Sequence, residues 1–403
     1  VSEIVFDPAS PEHWSDPYPT YARLREEDPV HLREGPGLRC WWLTRYQDVA
    51  AVLRDPRFSA RRVPSELSAP GAHERIRRLG ELLSHMLLVH DPPDHTRLRG
   101  LVGKAFTPRV AERLRPRIES IVDGLLGAAL ARGTGRMDAI RDLATPLPVV
   151  VIAELLGVPT RDQMRFKRWS DDIAVVMDGT VRGAGLPRAA ESAGELCEYL
   201  RAIFAARRRD PQGDLVSGLV AARDRGDSLS EEELVATCVL LLLAGHETTT
   251  NLIGNGLLAL LRHPEQLGRL RREPRLAAAA VEEVLRYDPP VQSTSRRPHQ
   301  DVHWRGQLFE AGVELDLILA AANRDPAVFA DPERFDLGRA DNRHLSFGHG
   351  AHFCLGAPLA RLEAEVVFER AARRLPQLKL ECEEPARRPG FVLRGLASLL
   401  VCF

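Results

Sequence analysis

Phe347-Gly348-His349-Gly350-Ala351-His352-Phe353-Cys354-Leu355-Gly356 is the stretch on which the reading of this chain turns. It sets one cysteine in a loop where Gly348, Gly350 and Gly356 allow tight turns and the close approach of a large planar ligand. From Ala357-Pro358-Leu359-Ala360-Arg361 onward the periodicity is helical, with Pro358 tolerated in the first turn. Cys354 is therefore expected just ahead of a helix N-terminus, where the macrodipole favours a thiolate over a thiol. A thiolate held this way, with no second cysteine close by, suits one large metal cofactor better than a structural zinc. A dinucleotide fingerprint would need glycine at 353, where Phe353 stands. A zinc site from His349, His352 and Cys354 lacks an obvious fourth ligand. A buried cysteine on a structural turn needs no ligand at all. Taken alone, the loop leaves the last two readings open.

Working back from the loop, residues 325–346 read as irregular, 313–320 alternate like a strand, and 291–296 are extended after Asp288-Pro289-Pro290. Residues 281–287 form a helix carrying Glu283 and Arg286 at i and i+3. That pair is either a surface ion pair worth at most about 1 kcal/mol or a buried structural one. Further upstream, Ser230 and Glu233 make a capping box that opens the longest helix in the chain. It is expected to run to Arg262, about 48 Å at 1.5 Å per residue, and so apolar a helix belongs at a protein's centre. In its middle stands Ala244-Gly245-His246-Glu247-Thr248-Thr249. Gly245, and a Thr248 hydroxyl able to reach back to the Ala244 carbonyl, are two causes of local helix distortion. An acid and a hydroxyl in such a gap can bind small molecules and relay protons. The zinc-protease helix is excluded, because Thr250 stands where its second histidine must be.

The N-terminal half mixes a helix at 18–27, a strand at Cys40-Trp41-Trp42-Leu43 and a short helix at 47–54. Arginine and proline crowd 59–78, which reads as a loop. After Asp91-Pro92-Pro93, residues 95–106 form a helix with His95 and Arg99 on one face, either a solvated basic face or a pair of donors for a buried anion. Helices are expected at 110–132, 147–156, 161–176 and 189–209, with glycine-rich 178–187 as a flexible lid.

The 403 residues allow a large core, as one big domain or two ordinary ones. Hydrophobic residues at 44% and charged residues at 28% describe a soluble globular protein. Positive and negative side chains nearly cancel, 55 against 56, which gives no footprint for nucleic acid. Cys40, Cys197, Cys238, Cys354, Cys382 and Cys402 are scattered, so neither a disulfide framework nor a zinc ribbon is indicated. The N-terminus lacks a signal pattern, and the apolar run 239–244 is too short to span a bilayer. A cytoplasmic setting and no membrane partner are expected.

In this order and register, these pieces resemble the cytochrome P-450 superfamily, specifically its soluble bacterial type, over essentially the whole chain. Phe347-Gly-x-Gly-x-His-x-Cys354-x-Gly356 is similar to the family's haem-binding loop, and Ala244-Gly245-x-Glu247-Thr248-Thr249 to its oxygen-activation helix. Glu283-x-x-Arg286 resembles its structural Glu-Arg pair, with Arg334 of Pro332-Glu333-Arg334-Phe335 as third partner. His95-x-x-x-Arg99 resembles its propionate-binding helix. Where the family usually has an Ile-Pro-Ala-Gly-Thr turn, this chain reads Leu308-Phe309-Glu310-Ala311-Gly312-Val313, a departure confined to the local turn.

The resemblance implies a mainly α fold with a smaller β region. It implies a single haem domain over 1–403, helix-rich with a smaller sheet-containing N-terminal part, and haem b between the long central helix and the cysteine-loop helix. It implies Cys354 as the axial thiolate, a ligand that favours O–O cleavage. His95, Arg99, Arg296 and His352 become donors to the propionates, which need such partners when buried. Phe347, Ala244, Gly348 and Gly356 line the haem. Thr248 orients dioxygen and water, and Glu247 brings protons. Leu88, Val89, Val291, Gln292, Leu396 and Ala397 contribute to a pocket for a hydrophobic small molecule. Because no flavin or ferredoxin module follows the loop, electrons are expected from NAD(P)H through a ferredoxin and ferredoxin reductase in trans. Arg97, Lys104, Arg109, Arg343 and Arg361 are offered as a docking face, and the protein is expected as a monomer. The implied reaction is monooxygenation with O2 as co-substrate. A peroxide-driven peroxygenase is a weaker reading given Glu247 and Thr248, and a non-catalytic haem or zinc protein predicts no dependence on Thr248.

Overall fold

The computed structural model describes residues 4, 7, 10–35, 38–63, 67, 71–177, 185–224 and 229–403. It is mainly α-helical with a smaller β region. Contacts divide the chain into two compact units: Val1–Phe58, Pro108–Leu147 and Thr248–Phe403 in the first, Ser59–Thr107 and Pro148–Glu247 in the second.

The first unit is built on a five-stranded sheet whose spatial order is Val30–Gly35, Leu38–Leu43, Glu314–Ile318, Ser293–Pro298 and Phe58–Ser59. It therefore joins N-terminal strands to strands some 250 residues later. Leu38–Leu43 pairs antiparallel with Val30–Gly35 and parallel with Glu314–Ile318, placing Trp41 opposite Leu315. Alternation along the strand sends Trp41 and Leu43 into a core with Val49, Phe58, Phe309 and Leu315. Cys40 and Trp42 pack on the opposite face with Tyr18, Tyr21 and Leu24 of helix Tyr18–Glu27. In the same unit, helices Pro108–Arg113, Arg115–Ala131, Pro264–Arg272 and Ala277–Tyr287 pack around helix Ala357–Arg374. The single helix expected at 110–132 is thus two. Pro116 in the first turn of the second helix is the start signal that separates them.

In the second unit the 24-residue helix Leu186–Arg209 packs against Gln163–Met177, Glu74–Ser84 and Leu215–Asp224. Glu74–Ser84 overturns part of the loop expected at 59–78. His73 caps it by accepting from the Arg75 N–H, and Leu79, Gly80 and Leu83 form its buried stripe. Of the expected lid, 178–184 lie outside the described residues.

The longest helix runs Glu231–Arg262, giving its residues through Glu247 to the second unit and those from Thr248 to the first. Its capping box is closed in both directions. Ser230 N–H donates to Glu233 Oε2 at 2.8 Å, and Glu233 N–H donates to Ser230 Oγ at 3.1 Å. The helical span is continuous through Gly245 and Thr248. Among the described residues, no helix is long and apolar enough to cross a membrane.

Candidate active site

The cysteine loop is closed by its own backbone. Cys354 N–H donates to the Phe347 carbonyl at 2.8 Å, and Gly348 N–H donates to that of Leu345 at 2.7 Å. Gly350 has φ +72°, and a Cβ there would stand 2.9 Å from the Leu53 carbonyl oxygen, so the turn admits only glycine. Helix Ala357–Arg374 starts just beyond Gly356, which leaves the half-buried Cys354 ahead of a helix N-terminus. Phe347 is held from the side by Arg361, whose guanidinium carbon lies 4.5 Å from the ring centroid. Arg361 in turn donates to both Glu282 oxygens at 2.7 and 2.9 Å, and His344 Nε2 lies 3.2 Å from the same carboxylate. Burial alone works to raise the Glu282 carboxyl, but His344 and Arg361 outweigh it and bring it down to about 2.

Beneath the loop lies a buried polar brace. Arg286 donates from Nε and Nη2 to Glu283 at 2.9 and 2.8 Å, with both side chains almost wholly buried. This is the buried alternative of the two left open by the spacing. Arg339 Nε adds bonds to both Glu283 oxygens at 3.2 and 3.1 Å, and Asn342 Nδ2 and Asp336 N–H complete the set. The structure thus corrects the third partner. Arg334 contributes only its carbonyl, which accepts from Arg286 and Arg339, while its side chain is 62% exposed and pairs with Asp336. The other Arg286 bonds go to the Asn323 and Pro332 carbonyls. Asn323 then grips the chain just before the loop: its Oδ1 accepts from Leu345 N–H at 2.7 Å and its Nδ2 donates to Ser346 Oγ at 2.7 Å. Each guanidinium nitrogen of Arg286 and Arg339 meets an acceptor, which is what a buried ionic group requires. The buried Asn342 Oδ1 has no hydrogen-bond partner among the described residues.

The middle of the long helix shows a different pattern. Residues 241–243 and 249–260 are buried, yet Ala244 is exposed and Leu240, Glu247 and Thr248 are only partly covered. These four positions fall at i, i+4, i+7 and i+8, one open stripe along the middle of the helix, with Gly245 beside it also partly covered. On its other sides packing is close. A Cβ at Gly245 would meet the Ile152 side chain at 3.1 Å, and one at Gly256 would overlap the Phe368 ring at 2.1 Å. Thr250 Oγ1 donates to the Ala144 carbonyl at 3.2 Å. His246 is buried, with Nδ1 3.0 Å from the Leu242 carbonyl and 3.3 Å from Ser170 Oγ, and Nε2 3.4 Å from Asp171 Oδ1.

The remaining candidates fall in both units. In the first, Arg296 is buried in strand Ser293–Pro298 with Nη1 donating to the Ser295 carbonyl, and His352 sits half-buried in the turn Gly350–His352. In the second, His95 is buried and Arg99 half-buried on helix Asp94–Val102, and Val89 is buried beside Leu88 in the turn Leu87–Val89. Of the first unit's pocket candidates, Val291 bridges Leu393, Leu396 is buried and Ala397 is exposed. Gln292 donates from its amide to the Pro289 carbonyl at 2.8 Å and, with His13, Trp14 and Arg394, lines a crevice of about 10 Å³. Arg97 bonds Glu233, Arg361 bonds Glu282 and Arg343 bonds Asp341, so three of the five proposed docking charges are already neutralised.

Sequence reasoning missed Arg339, Asn323, Asn342 and His246. Asn323 stands in the run Ala322-Asn323-Arg324-Asp325-Pro326 and His246 inside the helix motif, and no local pattern gives either a task. Among the described residues no three His, Cys, Asp or Glu side chains converge as a metal cluster. The zinc reading therefore loses its ligand set. A single thiol in a glycine-shaped loop fits a haem, which carries its other iron ligands with it.

The comparisons agree with this. A family model described as Cytochrome P450 matches residues 188–389. Cytochrome P450 monooxygenase PikC of Streptomyces venezuelae is 45% identical, over 96% of this chain and 90% of that protein. The biotin biosynthesis cytochrome P450 of Bacillus subtilis (strain 168) is 40% identical over 99% of both. Among solved structures, P450BioI in complex with an acyl carrier protein ligated to hexadec-9Z-enoic acid superposes with a TM-score of 0.91 at 39% identity, covering 98% of this chain and 100% of that one.

Proposed function

Because the chain belongs to the cytochrome P450 family, we propose that it is a haem-thiolate monooxygenase that inserts one oxygen atom of O2 into a hydrophobic small molecule, by C–H hydroxylation or epoxidation. The observation that carries the proposal is Cys354: one thiol, backbone-closed loop, helix start behind it, buried ionic brace beneath. When bound, haem b supplies the oxidising chemistry and the protein supplies position, polarity and dryness.

Each side chain then has a task. Cys354 holds the iron, and the N-terminus of helix Ala357–Arg374 favours its thiolate. Phe347, kept in place by Arg361, shields that side, with Gly348 and Gly356 leaving room for the ring. Arg296 and His352, together with His95 and Arg99 by family resemblance, neutralise the propionates. On the open stripe, Ala244 leaves space, the Thr248 hydroxyl orients dioxygen and a water, and the half-covered Glu247 carries protons in from solvent. Val291, Leu396, Ala397, Leu88 and Val89 contribute apolar surface for the substrate. Electrons come from NAD(P)H through a ferredoxin and its reductase.

The test is the carbon monoxide difference spectrum of the dithionite-reduced holoprotein. A Soret band shifted far to the red supports Cys354 as the thiolate ligand. A band at the position of histidine-ligated haem, or no haem at all, overturns the reading.

A further inference from the structure

His246 stands inside the helix motif, is 3% exposed, and has no part in the roles given above. An apolar residue would bury there at lower cost, so the imidazole needs a reason. Its two ring nitrogens reach oxygens on two elements of the second unit: Leu242 of its own helix, and Ser170 and Asp171 of helix Gln163–Met177. The Leu242 carbonyl and the Asp171 carboxylate only accept, while the Ser170 hydroxyl can donate or accept, so the ring meets oxygen partners at both nitrogens. Asp171 is itself held by Lys167 one turn earlier. Burial works to raise the Asp171 carboxyl, yet His246 and Lys167 outweigh it and hold it below the usual range. One residue before His246, Gly245 lies close against Ile152, where a Cβ would stand only 3.1 Å from the side chain. The turn is therefore fixed twice over, by close packing at 245 and by a polar tether at 246.

We propose that His246 is a positioning residue. Tethered to helix Gln163–Met177 through Asp171 and Ser170, it sets the rotation of the turn that presents Glu247 and leads into Thr248. The proposal rests on the monooxygenase reading for its consequence but not for its geometry. Rotating a helix by one side chain's worth of slack would swing Glu247 away from the open stripe, because positions on a helix are 100° apart. Holding helix Gln163–Met177 in place thus holds the proton-handling pair in place. Displacing that helix loosens it.

The test compares wild-type holoprotein with Asp171→Ala, His246→Gln, His246→Ala and the double variant. Hydrogen–deuterium exchange is read without substrate across 240–252. Hydrogen peroxide per NADPH oxidised is read with a surrogate ferredoxin and reductase. Asp171→Ala, a change at a partly exposed side chain, is expected to speed exchange at 247–250 about tenfold, the loss of one charge-assisted hydrogen bond. Exchange at 357–374 should stay as in the wild type, and the peroxide fraction should rise. His246→Gln, whose amide can still reach one of the oxygen partners, should fall between wild type and His246→Ala, and the double variant should be no worse than His246→Ala alone. Unchanged exchange in Asp171→Ala, or additive effects in the double variant, overturns the proposal. Should His246→Ala not fold, Asp171→Ala and His246→Gln decide it. The carbon monoxide band of the wild type reports the monooxygenase reading separately, so the two can fail independently.

Discussion

The cysteine loop and the middle of the long helix are each expected to face the haem, and they are built on opposite principles. The loop rests on polar bonds: Glu283 receives Arg286, Arg339, Asn342 and a backbone N–H, and Asn323 grips the chain at Leu345 and Ser346. The helix middle rests on steric closeness, glycine against Ile152 and Phe368, with one histidine tether and an open stripe. A metal ligand must stay put to within a fraction of an ångström, and over-determination by buried hydrogen bonds achieves that. Groups that handle protons must meet water, and Glu247 and Thr248, to which that role is proposed, are half covered. On the proposed roles, the contrast is between a ligand that has to be immobile and a relay that has to be reachable.

The most severe way to break the contrast is at the ligand. Cys354→Ala should abolish the red-shifted carbon monoxide band altogether while Thr248→Ala leaves it intact. Next comes the brace. Arg286→Ala and Arg339→Ala should each cost about 3–5 kcal/mol, the price of leaving a buried carboxylate short of a partner. Arg334→Ala should cost no more than about 1 kcal/mol, because its exposed ion pair is weak and its carbonyl survives the change. Urea denaturation of the three variants separates Arg339 from Arg334. If Arg334→Ala proved the more damaging, the brace would be misassigned.

Smaller effects belong to the helix. Thr248→Ala should leave the urea midpoint within about 1 kcal/mol of wild type, as for a surface-type substitution away from the core. Product formed per NADPH should fall as peroxide rises; tight coupling in this variant would remove Thr248 from the relay. Smallest is Glu282. Its carboxyl is held down to about 2 in the folded chain, so the stability it contributes is present above the ordinary glutamate range and lost as pH falls from about 4.5 through about 2. Glu282→Gln should flatten that part of the stability–pH curve. An unchanged acid limb would mean that Arg361 and His344 do not hold it ionised.

Much of this was legible in the sequence, and what was not has identifiable causes. The capping box placed the start of the long helix to within a residue, because Ser230 and Glu233 carry their geometry locally. Glu283 and Arg286 were paired by i, i+3 spacing for the same reason. Arg339 was not, because it reaches Glu283 from the irregular stretch before the loop, where no periodicity fixes which arginine turns inward. Arg334 sits in the more recognisable run and points out. Helix Glu74–Ser84 was hidden by arginines, although Ile76, Leu79 and Leu83 hold helical spacing. His246 was visible as a residue but its task was not, since Asp171 lies 75 positions away.

The contact between Gly256 and Phe368 also sets a rule for anyone wishing to harden this protein. Exchanging helix-interior glycine for alanine is a routine route to heat tolerance, gaining up to about 1 kcal/mol per site. Gly124 and Gly194 sit within helices with open space where a methyl group would go, and can take the exchange. At Gly256 the same methyl would occupy the aromatic ring's own volume. A designer working from helix propensity alone would choose all three, and the third would push the long helix off the helix that begins behind Cys354.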